Sequence, residues 1–276
     1  MQATEPTIRA TFKDDLAAIV REAGALAEKA FRGETLHSWT KLGGSPVSEA
    51  DIAVDNFLRE RLTRLLPDAG WLSEETEDDR ARLHVPRIWV VDPIDGTRAF
   101  VNKRTDWSVS VALVENGRPR AAALFAPIED GLYLAIAREG VTLDGVRLKA
   151  STSAAFDGAR AAGPKPMLGE LEKSFAGIIS EPKVHSLALR LARVAAGKLD
   201  IAFASKNSND WDLAAADLIV HEAGGMLTTL DGKTVIYNSD TARHGALVAA
   251  GAARHKELVA VSRQWRARGA LHQSLA

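Results

Sequence analysis

The chain has 276 residues, 46% of them hydrophobic, enough for a sizeable core in one large domain or two fused halves. It has no cysteine, which excludes disulfides and thiolate metal sites. Its 35 lysines and arginines nearly cancel 36 aspartates and glutamates, so no strongly basic nucleic-acid-binding surface is indicated. Gln2–Pro6 is polar and lacks the basic-then-apolar pattern of a leader, and no stretch approaches the roughly 20 apolar residues that span a bilayer. The expectation is a soluble, cytoplasmic protein with no membrane partner.

Ile8, Phe12, Leu16, Ile19, Ala23, Leu26 and Ala30 recur at helical spacing, which predicts an amphipathic helix from about Ile8 to Phe31, with Gly33 just beyond it. The segment from Lys41 to Val47 is a turn-rich loop. A second helix is predicted to begin near Ser48, to carry Asp51 in its first turn and to end before Pro67. Ser48-Glu-Ala-Asp51 fits the capping-box pattern, which gives Asp51 an ordinary structural reading. Gly70–Ser73 is short and apolar and leads into an acidic loop, Glu74 to Asp79. Ile88–Val91 is an apolar run of strand type that Asp92-Pro93 is expected to halt. Ser108 to Val114 alternates apolar and polar residues, the chain turns over Glu115–Pro119, and Ala121 to Phe125 returns, as a hairpin does. Leu132–Ala137 and Val141–Leu148 read as further strands. The first half thus reads as two helices plus an antiparallel sheet.

Residues 151–182 hold little periodicity, and the boundary between an N-terminal half, 1–150, and a C-terminal half, 151–276, falls in or before this stretch. Beyond it Leu187–Ala196 is helical, Leu199–Ala204 a short strand, and Asp212–Ala223 a helix closed by Gly224-Gly225. Met226–Leu230, Val235-Ile236 and Ala246–Ala250 are strand candidates, and Ala252–Trp265 a final helix.

The chemistry concentrates in Trp89-Val-Val-Asp92-Pro-Ile-Asp95-Gly-Thr97. A buried strand ends in a carboxylate, proline forces the chain out of the sheet, and a second carboxylate follows three positions on. Gly96-Thr97 can open a helix whose free N–H groups favour an anion. Two carboxylates beside such a turn would repel a phosphate unless cations lay between them, and hard oxygen ligands of this kind select Mg²⁺. The Ile94 carbonyl is a further candidate ligand.

This segment resembles the inositol monophosphatase family, whose relatives include 3′(2′),5′-bisphosphate nucleotidases and histidinol phosphatases. The resemblance spans almost the whole chain in four ordered pieces: Val47-Ser-Glu-Ala-Asp51, Leu72-Ser-Glu74-Glu75, Trp89 through Thr97, and Trp211-Asp212-Leu-Ala-Ala-Ala through Glu222-Ala-Gly-Gly225. It implies an α+β fold, a layered α-β-α-β-α sandwich of the inositol monophosphatase and sugar phosphatase type, usually as a homodimer. It implies Glu74, Asp92, the Ile94 carbonyl, Asp95 and Asp212 as ligands of two or three Mg²⁺ ions. Asp51 and Thr97, with Glu74 nearby, match the group that orients and deprotonates the attacking water. The Gly96 and Thr97 amides match a substrate phosphate cradle, and lithium inhibition is expected.

Substrate choice is expected to lie in residues 185–210. His185-Ser186 stands where many members have Gly-Ser or Arg-Ser, and Arg190 lies one turn on. Ser186, Arg190, Lys206 and Asp212 are the candidate substrate contacts, with Asp210, Arg98 and Lys103 close in sequence to the motifs. Several basic groups would suit a substrate with two phosphates, which leans toward a bisphosphate nucleotide ahead of inositol monophosphate. Histidinol phosphate, or a regulatory protein on the same fold, is the alternative. Trp211, His185 and His221 read as structural.

Overall fold

A computed structural model describes residues 10–33, 37–41, 44 and 46–267. The sequence-predicted first helix is α1 (Ala10–Arg32); Ile8, and Leu42, Gly43 and Ser45 of the turn-rich loop, lie outside the described residues. Phe12, Leu16, Ile19, Val20, Ala23 and Ala27 form the buried stripe of α1. A small arm follows, β1 (Ser38–Thr40) antiparallel to β2 (Pro46–Ser48). It leads directly into α2 (Glu49–Leu65), which packs against α1.

A seven-stranded sheet comes next: β3 (Gly70–Ser73), β4 (Arg87–Asp95), β5 (Ser108–Glu115), β6 (Arg118–Ala126), β7 (Gly131–Ile136), β8 (Gly140–Leu143) and β9 (Val146–Arg147), neighbours in that order. A short helix, α3 (Thr97–Val101), lies between β4 and β5. The sheet is not purely antiparallel as the sequence suggested, because β3 pairs parallel to β4. Nor do the polar positions of β5 face water. Ser108 and Ser110 are buried, since helices cover both faces of this sheet.

The second half contains β10 (Arg160–Ala162), α4 (Lys165–Ser174), β11 (Ile179–Ser180), α5 (Leu187–Ala195), β12 (Ile201–Ala204), β13 (Ser208–Asn209), α6 (Asp210–Glu222), β14 (Gly225–Thr229), β15 (Arg243–His244), β16 (Leu247–Gly251) and α7 (Ala252–Ala267). Five strands form a second sheet in the order β11-β10-β12-β16-β14. The weakly patterned stretch 151–182 therefore holds a helix that periodicity did not reveal. Val235-Ile236 is not a strand: Val235 offers its carbonyl to Arg118 and Tyr237 donates its N–H to Gly117, so the segment lies against the β5–β6 turn.

The layers follow from burial. The α1–α2 pair packs on one face of the seven-stranded sheet, and α5 with α6 fills the space between the two sheets. Helices α4 and α7 cover the far face of the second sheet. Residues 213–220 of α6 are buried on every side, as expected of a helix with sheets on both flanks. The order is α-β-α-β-α. No helix among the described residues is long and apolar enough to cross a membrane.

The two sheets are joined where Ala150 donates to the Ala223 carbonyl and Ser151 runs past Gly251. A Cβ on Gly251 would overlap the Ser151 carbonyl oxygen, and that backbone cannot yield as a side chain would. Gly251→Ala is expected to destabilise the protein by about 1–3 kcal/mol, read as a lower denaturant midpoint at unchanged slope.

Candidate active site

Strand β4 does not stop at Asp92-Pro93. It continues to Asp95, with Asp92 opposite Ser110, Asp95 opposite Ser108 and a register shift between them. Proline has no N–H to give a ladder, and such an irregularity is where a strand accepts one. The extra length lets both carboxylates leave the same strand end. Asp92 Oδ1 accepts the Ile94 N–H at 3.1 Å. Gly96, at φ 95° and ψ 35°, then turns the chain into α3. A Cβ there would sit 3.0 Å from the Ser186 nitrogen and 3.3 Å from the Asp106 carbonyl, on a backbone that L-residues rarely adopt. Helix α3 has only five residues, so its macrodipole is slight and a phosphate cradle would rest on the local amides.

Asp212 arrives from the first turn of α6, where its Oδ2 accepts the Asn209 N–H at 2.6 Å. Asp92, Asp95 and Asp212 each offer a carboxylate oxygen, all within 4.8 Å of one another. Burial, then the charge of Glu74, pushes Asp92 well above the usual carboxylate range; burial and Asp95 do the same to Asp212. Asp95 rises less, to about 6, because burial is opposed by hydrogen bonds from Ser186 Oγ (2.5 Å), the Ala188 N–H (2.6 Å) and the Leu187 N–H (3.1 Å). Asp92 Oδ2 is buried with no hydrogen-bond partner among the described residues. Clustered carboxylates in a low-dielectric pocket require protons or a cation, and this all-oxygen donor set fits a hard divalent ion.

The remaining sequence-predicted residues fall around this cluster. Asp51 Oδ2 accepts the Ser48 N–H at 2.8 Å and Ser48 Oγ–H at 2.5 Å, while Oδ1 lies 3.2 Å from Thr97 Oγ1. Asp51 thus closes the capping box with one oxygen and faces Thr97 with the other. Burial pushes its carboxyl up. Thr97 Oγ1 is also 3.1 Å from the Ile94 carbonyl, so two acceptors share one hydroxyl proton. Glu74 is outside the close triad; its Oε1 lies 3.2 Å from Lys41 Nζ, which also approaches Glu75 at 2.6 Å. Burial raises Glu75 to about 7 despite that lysine.

Several expected substrate contacts are placed otherwise. Ser186 is fully buried, and its hydroxyl bonds Asp95, lies 3.0 Å from Ser108 Oγ and caps α5, which puts it behind the carboxylate. Lys206 is half-buried between β12 and β13, and among the described residues the hydrogen bonds to Asp95 and Asp212 come from Ser186, Leu187, Ala188 and Asn209 instead. Lys103 donates to the Phe31 and Gly33 carbonyls, neutralising the C-terminal end of α1. Arg98 is exposed. Asp210 accepts from His244 at 2.6 Å and from the Asn238 N–H at 2.7 Å, tying loops together. His185 pairs with Asp106 at 2.7 Å and His221 with Asp217 at 2.7 Å, as the structural reading of both required. Trp211 packs against the core between the sheets. Arg190 does not coat its helix: it is 8% exposed and feels the charges of Asp95 and Asp212. Lys41 and Asp106 were not singled out by sequence; only their nearness in sequence to Gly-Gly and to the Thr97 turn could have flagged them.

Residues 11–267 match the model of the inositol monophosphatase family, and the chain belongs to that family of phosphatases. It is 34% identical over 195 residues to an inositol-1-monophosphatase of Rhizobium meliloti, covering 67% of this chain and 73% of that protein. It is also 34% identical over 226 residues to a histidinol-phosphatase of Mycobacterium tuberculosis, covering 78% and 86%. The solved structure of a Thermotoga maritima IMPase superposes with a TM-score of 0.78 at 27% identity, over 92% of this chain and 98% of that one.

The raised carboxyls set the sign of a pH effect. A buried acid whose pKa is raised favours the folded state while protonated, and loses that contribution as pH climbs from near 4 through about 6. In chelator, the thermal midpoint is expected to fall across that window, and Asp95→Asn to flatten the fall. A divalent cation that occupied the ionised cluster would reverse the trend.

Proposed function

We propose that the protein is a Mg²⁺-dependent phosphomonoesterase acting on a small phosphate ester, with a 3′(2′),5′-bisphosphate nucleotide, which carries a second anionic group, ahead of inositol monophosphate. The observation that carries the reaction is the meeting of Asp92, Asp95 and Asp212 beside a threonine hydroxyl aimed at a buried aspartate. Asp92, Asp95, Asp212, the Ile94 carbonyl and, once released from Lys41, Glu74 would hold two or three Mg²⁺ ions. Bound Mg²⁺ neutralises the ester and acidifies nearby water.

The chain's own residues do the rest. Thr97 Oγ takes the proton of the attacking water as its own passes to Asp51 Oδ1, and the upward shift of Asp51 makes it a stronger base than an exposed aspartate. Occupation of the Ile94 carbonyl would leave Asp51 the sole acceptor for the Thr97 proton. The Gly96 and Thr97 amides hold the phosphate in line. Residues 1–150 supply most of this machinery, 151–276 supply Asp212 and the pocket wall, and the two form one continuous unit that pairs as a homodimer.

Arg190 supports the second anionic group. Its Nε is buried with no partner among the described residues, which is costly for a guanidinium unless a ligand completes it. The two curated relatives act, by name, on different phosphates at equal identity, so likeness does not choose between them.

A phosphate-release panel of the bisphosphate nucleotide, inositol 1-phosphate and histidinol phosphate, with and without Li⁺, tests this reading. Mg²⁺-dependent release inhibited by Li⁺ is expected, and Asp95→Asn should abolish it while the fold persists. No release from any of the three would overturn the reading. Arg190→Met should raise KM for the bisphosphate nucleotide about 10-fold or more and for inositol 1-phosphate much less. An equal change on both would remove Arg190 from substrate recognition.

A further inference from the structure

Helix α2 carries a second buried carboxylate, Asp55, one turn beyond Asp51 and on the same face. Its Oδ1 accepts Ser73 Oγ–H at 2.5 Å and its Oδ2 accepts Thr76 Oγ1–H at 2.7 Å. Ser73 and Thr76 are the two residues that bracket Glu74-Glu75. The bracket is reinforced locally: the Glu75 N–H lies 3.3 Å from Ser73 Oγ, Trp71 Nε1–H donates to Thr76 Oγ1 at 3.3 Å, and the Glu74 N–H reaches the Val91 carbonyl at 3.3 Å.

This arrangement calls for a reason. The run Glu74-Glu75-Thr-Glu77-Asp78-Asp79 is self-repelling, and left alone it would spread into solvent. A further buried carboxylate beside it adds to the negative charge, so it is a poor choice if its purpose is only to fasten a helix to a sheet. What Asp55 provides is geometry: one rigid group grips both ends of a four-residue turn. Because Asp51 and Asp55 are four residues apart, about 6 Å along the axis, the same helix turn holds the Thr97-facing carboxylate and the Glu74 turn in fixed relation.

We propose that Asp55 is a positioning residue that, through Ser73 and Thr76, holds the Glu74-Glu75 turn where the Glu74 carboxylate can complete the cation site of Asp92, Asp95 and Asp212. The proposal rests on the metal-dependent reading above. Asp55 itself touches neither cation nor substrate. Its loss loosens Glu74 and weakens cation binding while the Asp51–Thr97 pair stays assembled.

The test is a titration of Mn²⁺ alone, by calorimetry and by electron paramagnetic resonance, into the parent, Asp55→Ala, Asp55→Asn, Ser73→Ala and Thr76→Val, with thermal midpoints in chelator beside it. Asp55→Ala is expected to weaken Mn²⁺ binding about 10-fold. Asp55→Asn, which keeps the shape and one acceptor, should recover part of that loss, and each hydroxyl deletion should show a fraction of it. If Asp55→Ala does not fold, the two hydroxyl deletions decide by the same titration. Folded variants that bind Mn²⁺ within twofold of the parent, whatever their midpoints, would overturn the proposal alone. A parent that binds no Mn²⁺ would overturn the metal-dependent reading and the proposal with it.

Discussion

Three carboxylates that repel one another are held together, Asp92 and Asp95 buried and Asp212 half-buried, and elements from both halves of the chain keep them there. Asp92 and Asp95 leave one strand end, and Asp212 comes from a helix more than a hundred residues later. Each is pushed toward its protonated form by burial and by its neighbours. The opposing forces are local and directional. The first amides of α5 and the Ser186 hydroxyl stabilise ionised Asp95, and the Asn209 amide stabilises ionised Asp212. The central position of α5 and α6, between two sheets, brings these helix starts to the end of β4.

Two of the acids have a second occupation. Asp51 and Asp212 are each the third residue of a capped helix, and each ties one oxygen to the backbone at the cap. A carboxylate used this way has a fixed direction and an oxygen left over. The capping box is thus a means of aiming a charge as well as of starting a helix. The structural and chemical readings of Asp51, which compete on paper, describe the same hydrogen bonds.

The parts of the fold carried by short-range pattern were legible: the amphipathic α1, the β5–β6 hairpin, the Gly224 stop after α6 and the run to β16. What periodicity could not show were features set by partners distant in sequence. Strand β4 runs past a proline because β5 is present to accept the irregularity. The serines of β5 are buried because the starts of α5 and α6 cover them: Ser108 meets Ser186 and Ser110 meets the Trp211 carbonyl. Val235-Ile236 has strand composition, but its hydrogen-bonding groups are taken by Arg118 and the Gly117 turn. Lys103 sits near the motif in sequence and answers the carbonyls at the end of α1.

By itself the sequence determined the family and named the candidate acids, because Asp51, Glu74, Asp92, Asp95 and Asp212 arrive in four ordered motifs whose spacing is a property of the chain. Only the tertiary structure decided which of them converge and what surrounds them. Asp92, Asp95 and Asp212 close to within 4.8 Å, Glu74 instead faces Lys41, Ser186 lies behind Asp95, and Arg190 turns inward. The reason is that charge, burial and hydrogen-bond partner are pairwise quantities. They depend on distances across the fold, and no linear pattern of residue types contains them.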